Sequence, residues 1–438
     1  MGNAIIAILL LLTFVGFIFY IFKGGNLMVG FFVMAILWAV IGLVPFDVAI
    51  KKVFAEPALN YGPTIIYIAF GSWFDRVLVD SGIAPAISQR TAKAGKKNVM
   101  LAAILVVLVT ALIFISAYGV GSVIAIGVIL LPIMLSLGIP RKIALPAFLM
   151  SVGAPMYLNL VLFNQIKAFF PKAEYGGKHL VFGIAAMAVQ LLAVIIYLFL
   201  HRKSFDPAKA NENLELVGAE ESTEEVKIPW IAFIVPVVPV FMNLAFKWDA
   251  VPSLILATLL AMLLTGKMRH WKSFIDFLND TIQTAISDIA GLIMFLMALI
   301  MFSGDAQINA ARFQTLLTSI LPSNIWVLAL ALGIAAPLAL ALGIAAPLAL
   351  FRGPLHVWGA GAATAAVLAG AHIFPDSLLL PLMYVPSLMA VSTDLTQSWN
   401  VWALKYMKVD SRELLKQGVP VMWIVSIINV ILAVLIIK

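Results

Sequence analysis

Apolar residues in this chain gather in blocks of roughly twenty, and polar residues fall in the short gaps between them. The blocks lie near 4–22, 27–45, 61–82, 99–115, 122–138, 143–165, 179–200, 229–247, 251–265, 275–303, 324–351, 354–371, 377–400 and 418–437. Each is long enough, or nearly so, to cross about 30 Å of hydrocarbon as a helix. The first block has no basic stretch before it and is followed by Lys23-Gly24-Gly25 and a second apolar run, so it reads as a retained membrane helix rather than a signal peptide. One long polar stretch, 201–227, is charged and poor in aromatic residues, the pattern of a mobile linker. It separates a first membrane repeat (1–200) from a second (229–438), with 201–228 as a cytoplasmic linker.

The two halves resemble each other at a few positions. VLVDSG (77–82) ends one block and LIMFSG (299–304) ends its counterpart, while GIPRKIALP (138–146) corresponds to IFPDSLLLP (373–381). Loop charge sets their relative direction, because Lys and Arg mark the cytoplasmic face. Arg90, Lys93, Lys96 and Lys97 follow the first Ser-Gly, but Asp305 and Arg312 follow the second; Arg141 and Lys142 correspond to Asp376. Equivalent loops therefore face opposite sides, with the amino terminus outside and loops 83–97, 201–227, 266–273 and 405–416 inside. The expected fold is an all-α polytopic membrane protein of two inverted-topology repeats with broken helices. It has about 11–14 membrane segments, some of them readable equally as spans or as re-entrant hairpins.

Composition agrees with a bilayer as solvent: 63% of the 438 residues are hydrophobic and 11% charged, against about 25% charged in soluble domains. With no cysteine there is neither disulfide nor thiolate metal site. The net charge of +7 sits in loops and reports orientation rather than nucleic-acid binding. Nucleotide-hydrolysis, zinc-protease and acyl-transfer motifs are absent from the sequence, so neither an enzyme, a cofactor, a bound metal nor ATP-driven pumping is expected.

Irregular backbone at membrane depth is tolerated where protein or a watery cavity satisfies it, so paired breaks in the two halves point to a binding site. Four breaks qualify: ISAYGVGS (115–122), FRGPLHVWGAG (351–361), SVGAPMYLN (151–159) and the polar run VPSLMAVSTDLTQSWN (385–400). They supply the candidate substrate-binding residues Ser116, Tyr118, Gly119, Gly121, Ser122, Ser151, Gly153, Asn159, Arg352, Gly353, His356, Ser392 and Thr393. The candidate coupling-ion groups are Asp394, His356, Thr396 and Ser398. Helix ends at such breaks suit an anion, and Arg352 could grip a carboxylate through two hydrogen bonds, although an arginine snorkelling to headgroups fits the same position. Asp394 is a candidate buried carboxylate. Asp75, Arg76 and Asp80 read as a helix end pairing with itself, and Asp288 as interfacial.

LVDSGIAPAISQRTAKAGKKN (78–98), AYGVGSVIAIGVILLPIML (117–135) and SWNVWALKYMKVDSRELLKQ (398–417) resemble the gluconate permease family of the ion transporter superfamily. The resemblance implies proton- or sodium-coupled uptake of a small organic carboxylate at a multi-pass bacterial inner membrane, with hairpin tips and broken helices meeting around the substrate. The superfamily also makes a homodimer plausible. A cation/proton antiporter without organic substrate is the alternative within that superfamily.

Residues 331–350 read ALGIAAPLALALGIAAPLAL, one ten-residue block written twice. Gly82 and Gly121 are 39 positions apart, Gly304 and Gly353 are 49, and one block accounts for the difference. The second copy reads as an insertion rather than a motif.

Overall fold

The protein's computed structural model describes residues 2–23, 25–87, 98–210, 228–320, 342–371 and 374–437. Among these residues there is no β-strand. The first half comprises α1 (Gly2–Phe22), α2 (Leu27–Ile41), α3 (Gly62–Asp80), α4 (Val99–Phe114), α5 (Val120–Ser136), α6 (Arg141–Gly153), α7 (Leu160–Lys167) and α8 (Gly177–Leu200). The second comprises α9 (Val238–Phe246), α10 (Ala250–Leu264), α11 (Trp271–Ile320), α12 (Gly361–Ala371), α13 (Asp376–Thr393), α14 (Ser398–Met407) and α15 (Ser411–Ile437).

Local sequence sets the starts. Asn26, Asn98, Asn159 and Asp249 sit just before α2, α4, α7 and α10, and each side chain accepts a free amide of the first turn. Pro140 and Pro375 stand at the entries of α6 and α13. Between Ala154 and Leu158 the chain tightens into a 3-10 turn that separates α6 from α7, and the pair bends by 65°. Asp394 to Gln397 separates α13 from α14. Both breaks therefore fall where the polar and proline-bearing runs placed them.

The packing repeats from half to half. Helix α1 packs on α2 as α9 packs on α10, and α2 lies on α11 as α10 lies on α3. Equivalent helices also face one another across the centre: α3 against α11, α6 against α13, α8 against α15. Helices α6 and α13 are enclosed by protein, with residues 143–153 and 378–393 all buried, which is why backbone breaks at their ends are tolerated.

Two polar contacts fix the relative direction of the halves. Arg141, at the start of α6, donates to the carbonyls of Met407 and Lys408 at the end of α14 (3.2 and 3.3 Å). Asp376, at the start of α13, accepts the Lys172 amide beyond the end of α7 at 3.0 Å. Each broken segment thus begins beside the end of the other, and the two run antiparallel. Arg141 and Asp376 hold equivalent positions, one residue after Pro140 and Pro375. Their opposite charge follows from their partners: a cation suits a helix carboxyl end, and an amide needs an acceptor.

Two further contacts mark the opposite faces. The turn after α5 meets the residues after α8, where Asp206 donates its amide to Gly138 O (2.8 Å). This is the Arg141 face. Asp376, at the start of α13, lies at the other face with Lys172 and with Lys178, which donates to Ile437 O. The tips, 115–119 and 353–360, each supply residues to one internal cavity.

One expected boundary is displaced. Gly82 takes φ +87° and closes α3, but Gly304 stays helical, and α11 runs 50 residues without interruption. At 1.5 Å per residue that is about 75 Å, far beyond one crossing. Gly304 instead provides close contact: a Cβ there would lie 2.8 Å from Pro57 Cγ.

The first copy of the doubled block, 331–340, lies outside the described residues. The second is docked. Gly343 lies against Ile427, Trp423 donates its indole N–H to Ile344 O at 2.9 Å, and Ala346–Arg352 packs on α13 and α15. That is the position α4 holds against α6 and α8 in the first half.

Candidate functional site

A cavity of about 470 Å³ opens where the two tips and the second break converge. Glycine shapes the first tip. Gly119 takes φ +133°, a conformation that side-chain-bearing residues avoid, and starts α5 at the cavity wall. Gly121 lies against a carboxylate from α11: a Cβ on it would stand 2.7 Å from Asp288 Oδ2. Tyr118 packs edge-on against Trp399 of α14, with centroids 6.3 Å apart. In the matching contact of the other repeat, Trp358 of the second tip donates its indole N–H to Gln165 Oε1 of α7 (3.2 Å). Each tip therefore rests on the outer helix of the opposite repeat's broken segment.

The second tip contributes Arg352. Its Nη1 donates to Trp358 O at 3.2 Å, its guanidinium lies 5.4 Å from the Phe295 ring centroid, and its Nε has no acceptor among the described residues. A partly unsatisfied guanidinium beside an aromatic wall can bind a carboxylate or phosphate oxygen.

Of the residues expected at the site, Tyr118, Gly119, Gly121, Ser122, Arg352 and Ser398 line the cavity. The others lie behind it. Ser116 is buried in the first tip, with no partner for its hydroxyl among the described residues. Ser151 bonds back to Ala147 O within α6 (2.6 Å) and Thr393 to Met389 O within α13 (2.9 Å). Gly153 makes room for the Ser392 hydroxyl, which also meets Gln190 of α8 at 3.4 Å. Gly353 has no space for a Cβ, which would fall 2.0 Å from Leu348 O. His356 is 1% exposed and accepts the Trp358 amide inside the tip.

Asn159 and Asp394 form ties. Each stands nineteen positions beyond the proline that opens its segment, Pro140 or Pro375. Asn159 donates to the carbonyls of Phe114 and Ala117 at the first tip (3.3 and 3.0 Å). Asp394 accepts the backbone amide of Arg352 at the second (3.1 Å), and Thr396 donates to its other oxygen.

Sequence reading missed the acidic wall. Asp75 of α3, 3% exposed, lines the cavity and faces Asp288 and the Tyr118 backbone. The sequence groups it with Arg76 and Asp80 as a self-pairing helix end. Only Arg76 and Asp80 pair, at 2.7 Å, and among the described residues Asp75 has no ion-pair partner. Asp288, expected at the interface, stands in the cavity wall instead. The signal was helical spacing: Ser72, Asp75, Arg76 and Val79 fall on one face of α3, as Asp288, Gly291, Leu292 and Phe295 do on α11.

Two antiparallel repeats, each with a broken helix and a tip that reaches the central cavity, define a membrane-transporter type of fold. A solved protein shares it. The YdaH transporter of Alcanivorax borkumensis, whose crystal structure revealed an unusual topology, matches over 94% of this chain and 96% of its own, with a TM-score of 0.60 at 12% identity. No protein-family model and no curated protein matches the sequence.

Proposed function

We propose that the protein is a secondary active transporter of the cytoplasmic membrane that takes up a small organic carboxylate with a proton or sodium ion by alternating access. The observation that carries this reading is the convergence of both tips and the second break on one cavity lined by Arg352, Arg76, Asp75 and Asp288. Arg352 receives the carboxylate, with Phe295, Trp358 and Trp399 as its apolar surroundings. Asp75, which has no ion-pair partner among the described residues, receives the coupling cation, because both oxygens of Asp394 are engaged by amides and a hydroxyl. The shared fold with a transporter supports the transport class, and the resemblance to gluconate permeases supports the carboxylate. The cavity is bounded by Asn26 and Val79, at helix ends that loop charge assigns to the cytoplasm, so this conformation is read as inward-facing.

The test is counterflow of radiolabelled carboxylates in proteoliposomes, followed by uptake under imposed proton and sodium gradients. Exchange of at least one carboxylate, and its accumulation under one gradient, is the expected result. Cation flux without exchange of any organic acid would favour the antiporter, for which the paired carboxylates Asp75 and Asp288 also suit.

A further inference from the structure

Two left-handed residues that are not glycine stand side by side at the second tip, Phe351 (φ +54°) and Arg352 (φ +55°). In this region Cβ crowds the following carbonyl, so L-residues avoid it. Two in succession persist only where their surroundings hold them. Within the tip, Ala360 donates its amide to Arg352 O at 2.9 Å, and Gly361 donates to Gly353 O at 3.1 Å. From outside the tip, Asp394 Oδ2 accepts the Arg352 amide at 3.1 Å. Asp394 is itself fixed. It is 1% exposed, its Oδ1 accepts the amide and hydroxyl of Thr396 (2.7 and 2.8 Å), and its carbonyl accepts Asn400 Nδ2 (2.9 Å).

We infer that Asp394 is a positioning residue for Arg352: by holding the Phe351–Arg352 turn to the break of its own repeat, it sets where the guanidinium meets the substrate anion, and it does not bind the coupling ion. The substrate part of this rests on the transport reading above; the tie itself does not. Asn159 confirms the design by contrast. It occupies the equivalent position in the first repeat and also reaches that repeat's tip, but its targets are the carbonyls of Phe114 and Ala117. Carbonyls require a donor, which an amide supplies; the Arg352 N–H requires an acceptor, which a carboxylate supplies.

Asp394→Asn keeps the shape but turns an NH2 group towards either the Arg352 amide or the Thr396 donors. The chain has no cysteine, so a single Leu355→Cys on the tip, where Leu355 is 7% exposed, reports release of the tip through its rate of reaction with a small maleimide. Loss of one charged hydrogen bond predicts labelling about tenfold faster in Asp394→Asn. In counterflow the same variant should raise KM by about tenfold with little change in maximal rate, and gradient-driven accumulation should persist at saturating substrate. Adding Phe351→Gly, which occupies the left-handed region without strain, should move both KM and labelling back towards the parent. Thr396→Val, a milder release of the carboxylate, should shift them in the same direction by less, and serves if Asp394→Asn fails to fold.

Unchanged labelling and KM would overturn the inference. So would intact counterflow with accumulation lost, since that outcome makes Asp394 the coupling carboxylate. A parent protein that exchanges no carboxylate refutes the transport reading alone, and the labelling rates still decide the tie.

Discussion

Arg352 and Asp75 reach one cavity from different halves of the chain, and their surroundings assign them different work. Arg352 lies over an aromatic ring with one nitrogen unsatisfied, so planar, two-point contact with an anion is the interaction at stake. Arg352→Lys keeps the charge and loses the fork, and should raise KM for the carboxylate by about tenfold in counterflow, with the folded protein unchanged by gel filtration. Asp75→Asn should leave counterflow intact and abolish accumulation under the driving gradient. Retained accumulation would remove Asp75 from the coupling role. Asp75 was hard to find in the sequence because Arg76 and Asp80 beside it offered a complete local explanation. Asp75 and Arg76 share one face of α3, and what separates Asp75 from the Arg76–Asp80 pair is its burial beside Asp288 of α11, which local spacing does not give.

At the scale of elements, the broken helices were the most legible part of the chain. Pro140, Pro155 and Pro375, with the run from Ser392 to Asn400, disturb apolar patterning strongly enough to mark α6, α7, α13 and α14 and the breaks between them. Their contacts were not legible. The asparagine and aspartate that looked like ligands hold backbone, and nothing in composition distinguishes a polar group that meets a substrate from one that meets a tip. Nor was the length of α11, since Ser81-Gly82 and Ser303-Gly304 are the same dipeptide and only tertiary packing makes one a terminus. The crossing of α6 and α13 depends on small volume. A Cβ at Gly153 would fall 2.1 Å from Ser392 Oγ and 3.0 Å from Gln190 Nε2. Gly153→Ala should cost about 1–3 kcal/mol, read as a lower unfolding temperature in detergent. Ser392→Ala in the same chain should recover part of the loss; no recovery would place the clash elsewhere.

At the scale of the molecule, the duplicated block is a test of how much the second repeat depends on its own length. The docked copy fills the groove on α13 and α15, and the two copies are identical. Removing residues 341–350 therefore leaves a copy with the same side chains to fill it and restores the spacing of the first half. Transport by the shortened chain should equal that of the parent, and its loss would show that the extra ten residues are required. The inward-facing reading is checked with single cysteines at Asn26 and Val79. Each should react with an impermeant thiol reagent from the cytoplasmic face in inside-out vesicles, and only slowly in right-side-out ones.

The asymmetry between Asn159 and Asp394 reaches further than the tips they hold. In a protein built from two inverted copies, exchanging the conformations of the halves converts an inward-facing state into an outward-facing one. If the copies were chemically identical, the two states would have equal free energy. Here one copy holds its tip through a neutral amide and the other through a carboxylate, against a strained turn that the first lacks. Under the proposed alternating access the two orientations are therefore unequal at rest, and the proposed cycle would start from a built-in bias towards one side of the membrane.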